Sequence, residues 1–186
     1  MAITYRITKG SELTYAEMDE NFETLEDAIP LKMGGDAFLH IQDQKTQGTS
    51  GGTFTSGAWR TRDLNTVLTN TITGASLAAN QITLPAGKYY VEASAPAWYT
   101  GKHRARIASG ITQLILGFSA FNHTVNITNE RAIVVGFFSL SEEGGVHLQQ
   151  ICSDTKGNNG FGVESDLETE VYSDIRIWRI GEYVAP

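Results

Sequence analysis

Strands in the last third of this chain carry apolar residues on both faces. Side chains alternate along a strand, so residues two apart share a face. In Arg131 to Leu140, Ile133, Val135 and Phe137 fall on one side, and Val134, Gly136, Phe138 and Leu140 on the other. In Val171 to Ile180, Ile175 and Ile177 share one face, with Tyr172, Trp178 and Ile180 opposite. Lys88 to Ala95 has a core face of Tyr89, Val91, Ala93 and Ala95; its other face is polar except for Tyr90. An antiparallel strand facing water on one side is polar there. A second apolar face needs a partner. The pattern implies a β-sandwich that buries its second face against copies of itself.

Length and composition bound the rest. The 186 residues hold one domain of about 130 residues and an appendage. Nineteen glycines against four prolines suit many short strands joined by tight turns. A net charge of −7 and a pI of about 5.0 argue against nucleic acid as a partner. The run Lys102-His103-Arg104-Ala105-Arg106 reads as a polar strand face that pairs with acids. Cys152 is the only cysteine, so no intrachain disulfide forms; it reads as a small buried hydrophobe with no base beside it. Met1 to Lys9 has no apolar signal-peptide core, and no run approaches the ~18 apolar residues of a membrane span. These features imply synthesis in a cytosol and no membrane insertion.

Three regions follow along the chain. Residues 1–30 hold a third of the acids. There Thr14-Tyr15-Ala16-Glu17 fits a capping box, with Leu13 and Met18 at the staple positions. The pattern predicts a helix from about Tyr15 to Ala28, ending before Pro30. Met18, Phe22, Leu25 and Ile29 are spaced as a short coiled-coil seam. The helix either packs on its own domain or serves as a self-associating or docking stalk; two heptads do not hold chains together alone. Residues 31–52 read as a Gly-rich connector in which Phe38, Leu39 and Ile41 could make one small strand. Residues 53–186 alternate strand patterns with turn signals, as in a sandwich head domain. Strands are expected near 53–62, 66–73, 76–84, 88–97, 102–109, 112–120, 131–140, 145–152 and 168–180.

No catalytic or cofactor signature stands out, and no enzyme or cofactor is expected. Gly48-Thr49-Ser50-Gly51-Gly52 matches a nucleophile elbow by letter only, because a strand follows where a helix is needed. His40, His103, His123 and His147 are too scattered for a zinc pair. Asp154, Glu164, Asp166 and Glu168 are calcium-capable in type but read as solvated loop acids. No carboxylate pair marks a glycosidase.

Longer segments carry a resemblance. In order they are Leu84 to Pro96, Lys102 to Arg106, Leu148 to Cys152, Gly160-Phe161-Gly162 and Glu170 to Trp178. Together they resemble the C-terminal domain of many bacteriophage tail fibre proteins, itself similar to the trimeric jelly rolls of the C1q and tumour-necrosis-factor type. The likeness spans roughly 59–180. Independently, Gly10 to Phe22 is similar to a segment common in phage tail proteins: Leu-Thr, an aromatic, Ala, Glu, then Asp-x-Asn-Phe. The chain lacks the long shaft repeat of a complete fibre, which leaves a short fibre, a fibre tip or a decoration.

The resemblance implies a mainly β, antiparallel jelly-roll β-sandwich (C1q/TNF-like), preceded by a short N-terminal α-helix and assembled as a homotrimer. It implies a virion tail protein made in the bacterial cytoplasm. The N-terminal segment would dock on another tail or baseplate protein, and the head would meet a bacterial surface glycan or protein. Loops near 96–101, 121–130 and 153–167 would form the free tip. They carry Trp98, Tyr99, Asn122, His123, Asn126, Asn129, Lys156, Asn158, Asn159 and Phe161. Aromatic faces stack on sugar rings, and Asn amides both donate to and accept from hydroxyls. The competing reading is that Trp98 and Phe161 plug the sandwich end and the Asn residues only make turns. Tyr90, Phe138, Tyr172 and Trp178 are the expected subunit contacts. A structural virion cap or spacer, and a non-phage carbohydrate-binding module or small depolymerase, remain as alternative functions.

Overall fold

The computed structural model describes residues 10–28, 37–122 and 129–183, without the side chains of 23–28. The chain divides into two units, Met1–Gly35 and Asp36–Pro186.

In the first unit, helix α1 spans Tyr15–Ala28. Its start is fixed by reciprocal hydrogen bonds. The Thr14 amide donates to Glu17 Oε2 at 2.7 Å, and the Glu17 amide donates to Thr14 Oγ1 at 3.3 Å. Of the seam residues, Met18 is half-buried and Phe22 is exposed. The Leu25 side chain and Ile29 lie outside the described residues.

The second unit is two antiparallel sheets face to face. One contains β1 (Phe38–Lys45), β3 (Thr66–Asn70), β6 (Gly87–Trp98), β9 (Asn129–Leu140) and β11 (Glu170–Gly181), in the order β3-β1-β11-β6-β9. The other contains β4 (Ser76–Ala78), β5 (Gln81–Leu84), β7 (Gly101–Ser109), β8 (Thr112–Asn122) and β10 (Gly144–Cys152), in the order β4-β5-β10-β7-β8. The short β2 (Arg60–Thr61) pairs with β10. Leu39, Ile41, Tyr89, Val91, Val134, Ile175 and Ile177 from the first sheet meet Ile82, Leu84, Ile107, Val146 and Leu148 from the second. At about 25 cal/mol per Å² of apolar surface removed from water, this interior dominates stability.

Three expected elements differ. The connector expected over 31–52 holds β1, an eight-residue strand bonded to β11 on one side and β3 on the other. Its inward row is Leu39, Ile41 and Asp43, too short an apolar run to announce a buried strand. The strand expected over 53–62 is instead one bridge at Phe54 and the two residues of β2. The strand expected over 76–84 is the hairpin β4–β5. Its two-residue turn, Ala79-Asn80, has φ of 48° and 64°, the mirror-image geometry that suits strand twist.

The second apolar face is real, but its membership differs from expectation. On β9, Val134, Phe138 and Leu140 point into the sandwich, and Ile133, Val135 and Phe137 point out. Phe138 stacks on Tyr89 at 5.2 Å inside the core. Tyr172 is also internal, its hydroxyl donating to the Thr49 carbonyl at 2.7 Å. Neither is free for a subunit contact. Tyr90 and Trp178 do lie on the outer face. With Phe137 and Phe38 they form an aromatic row across four strands, with centroids 5.0, 5.5 and 5.0 Å apart. Beside it, β8 exposes Leu116, Phe118 and Phe121.

Candidate functional site

The chain enters the sandwich at Ala37, whose carbonyl accepts from the Arg179 amide, close to the Phe38–Trp178–Tyr90 end of the sheet. Strand β6 then runs from Gly87 to Trp98, roughly 35 Å to the opposite end. There Trp98 meets both the end of β9 and the loop after β10. Asn129 faces Trp98 in the β6–β9 ladder, and the Trp98 amide donates to the Gly160 carbonyl at 3.0 Å.

The centre of this end is a three-residue cluster. Trp98 closes β6, and Tyr99 sits at φ 58° in the turn to β7. Their ring centroids are 5.6 Å apart. The Lys156 ammonium lies 4.8 Å from the Trp98 centroid and 4.9 Å from that of Tyr99. Lys156 is held by paired backbone bonds with Phe54, both 2.9 Å. A cation over two rings is attracted by their quadrupoles. The cluster offers ring surface for a sugar face and donors for hydroxyls or carboxylates. Asn158 is exposed beside it in a turn with φ 63°, and Asn159 is half-buried.

Two expected tip residues face inward. Asn122 is buried; its side-chain oxygen accepts from the Thr100 amide at 2.9 Å, and its nitrogen donates to the Ala97 carbonyl at 2.7 Å. It shapes the β6–β7 turn and is not available to a ligand. Phe161 stacks on Phe54 at 4.4 Å and joins Ala97 and Cys152 in a satellite core, so it plugs the end. His123 and Asn126 lie outside the described residues.

A buried polar layer supports the tip, and no sequence signal announced it. Arg62 is fully buried. Its Nε donates to Ser173 Oγ at 2.9 Å, Nη1 to Gln150 Oε1 at 3.2 Å and the Pro96 carbonyl at 3.4 Å, and Nη2 to the Phe161 carbonyl at 2.9 Å. The guanidinium also sits 4.1 Å from the Phe161 centroid. Burial lowers its pKa to about 9, so it stays cationic at neutral pH, with the Asp43 charge opposing that shift. Gln150 continues the layer to His103 Nδ1 at 3.1 Å. Burial, and then the Arg62 charge, push the His103 pKa down to about 4.

A second lock fixes the loop before β11. Glu170 accepts from the amides of Ser165, Asp166 and Gly48 at 2.9, 2.8 and 3.2 Å. The Ser165 amide leads the bonds that hold its pKa below the usual value. Ser50 donates to Glu164 at 2.6 Å from a loop that β1 precedes and no helix follows, which is not an elbow. Burial raises the Cys152 thiol to about 11, so it is protonated at neutral pH. Among the described residues, no three His, Cys, Asp or Glu side chains converge as a metal site. No helix among them is long and apolar enough to cross a membrane.

Comparison with solved structures identifies the fold. Murine APRIL, in a crystal structure at pH 5.0, matches over 76% of this chain and 98% of its own, at 8% identity and a TM-score of 0.50. The globular domain of the zebrafish complement 1qA protein matches over 80% and 100%, at 14% identity and a TM-score of 0.48. The chain is a mainly β, antiparallel jelly-roll sandwich similar in fold to murine APRIL, with a short preceding helix. No family model matches it, and no curated protein does.

Proposed function

We propose that this chain is the head of a bacteriophage tail fibre or receptor-binding protein, a homotrimer whose free end binds a bacterial surface receptor, above all a glycan. The observation that carries the reading is the Lys156 ammonium poised over Trp98 and Tyr99 at the end opposite the chain's entry. The two phage-like segments supply the virion context. The N-terminal segment docks on another tail or baseplate protein, leaving the far loops free to meet the host. The outer apolar face supports self-association: Ile133, Val135 and Phe137 are 47%, 42% and 69% exposed in one chain. An obligate interface buries such a surface. Three tips on one head bind with avidity, so each site can be weak.

The test is binding of purified protein to bacterial cells and arrayed surface glycans. Trp98→Ala and Lys156→Ala should each abolish binding while the melting temperature holds. Binding retained by both variants would refute the tip assignment. Absence of binding by the native chain to any cell or glycan would favour a structural virion cap.

A further inference from the structure

The outer face of the second sheet carries a groove of about 910 Å³. Along β7, Lys102, Arg104 and Arg106 point outward, and His103, Ala105 and Ile107 point into the sandwich. Residues two apart on a strand are about 7 Å apart, so the three cations form a line roughly 14 Å long. This basic run was expected to pair with acids. Among the described residues, none of the three makes an ion pair. Arg106 donates to Gln149 at 2.9 Å, and its guanidinium lies 4.3 Å from the Trp59 centroid. Arg104 donates to the Ser119 hydroxyl and faces Ile151 in the β7–β10 ladder. Lys102 is exposed. Glu130 is the only acid among the described lining residues.

An uncompensated cation line beside indole and aliphatic surface, on a chain of net charge −7, calls for an anionic occupant with an apolar side. We propose that this lateral groove binds an acidic oligosaccharide. Lys102 and Arg104 meet its carboxylates, and Trp59 and Ile151 meet its sugar faces. A uronic-acid chain carries one carboxylate per sugar next to a C–H face, which matches a lining that holds Lys102 and Arg104 together with Trp59 and Ile151. Nucleic acid fits less well, because its affinity comes from many phosphate contacts, more than this short line of cations supplies. The site is separate from Trp98 and stands whether or not the tip binds a receptor.

Calorimetric titration of the full chain with oligogalacturonate tests this, with a maltooligosaccharide as neutral counterpart and a single-stranded oligonucleotide as polyanion control. Saturable binding is expected for oligogalacturonate only, weakening with salt. Arg104→Ala and the exposed-site variant Lys102→Glu should each weaken it about tenfold or more, and Trp98→Ala should leave it unchanged. Lack of saturable binding, or binding that both groove variants retain, overturns the proposal. Loss in Trp98→Ala alone, or tighter oligonucleotide binding, overturns it too, the first by moving the anion to the tip and the second by replacing the ligand class.

Discussion

Replacing Phe137 with Ser separates assembly from folding, because this ring lies outside the core. Phe137 is 69% exposed, while its neighbour Phe138 is 7% exposed. A buried Phe covers roughly 200 Å², so full coverage of the exposed part of Phe137 contributes about 3.5 kcal/mol at ~25 cal/mol per Å². Three copies in a trimer lose about 10 kcal/mol together, or ~10⁷ in the dissociation constant. The half-dissociation concentration follows the square root of that constant, so it rises roughly 3,000-fold. Sedimentation velocity over a dilution series reads this directly, with far-UV circular dichroism as the check on folding. Phe137→Ser should be folded and monomeric where the native chain is trimeric. Phe138→Ser should lower the thermal midpoint, because a buried Phe truncation costs about 3–5 kcal/mol. If native and Phe137→Ser chains share one assembly curve, the outer aromatic row is not the interface.

Acid should destabilise the head through His103. The folded chain holds this imidazole neutral down to about pH 4, and the unfolded chain protonates near 6.5. Its contribution is therefore complete above pH 6.5 and is lost as pH falls towards 4, by about 3 kcal/mol. Denaturant unfolding across that range should show a shallower slope in His103→Gln, and equal slopes would contradict the assignment. Arg62→Ala strips donors from the Pro96 and Phe161 carbonyls and from Gln150, and should cost about 3–5 kcal/mol. Hydrogen exchange should quicken across 153–167, and an unchanged melting temperature would show that the layer is not structural.

The sequence made the sandwich, the helix and its cap legible because each rests on local periodicity or spacing. Thr14 and Glu17 are three apart in sequence, and they bond as that spacing requires. Face assignment on β9 was not legible. Val134 and Val135, like Phe137 and Phe138, are near-equivalent neighbours, and only packing against β7 and β8 decides which faces in. Strand β1 was legible only as one possible small strand at Phe38, Leu39 and Ile41, since its full length and its place in the sheet come from ladders with two distant strands and not from its own composition. At the tip, Trp98, Tyr99 and Lys156 could be grouped from loop positions. Phe161 looked like them, and its removal to the satellite core depends on Phe54 and Arg62, which lie more than ninety positions away in sequence. Arg62 itself, in Arg60-Thr61-Arg62, carries no local sequence sign of burial.

The central claim is a self-associating head that buries its outer aromatic face. Light scattering on the purified 186-residue chain tests it most directly. A solution mass near three times 20.3 kDa is the predicted result. A mass of 20.3 kDa that persists at high protein concentration would contradict it, and would leave Tyr90, Phe137 and Trp178 to be covered by another protein.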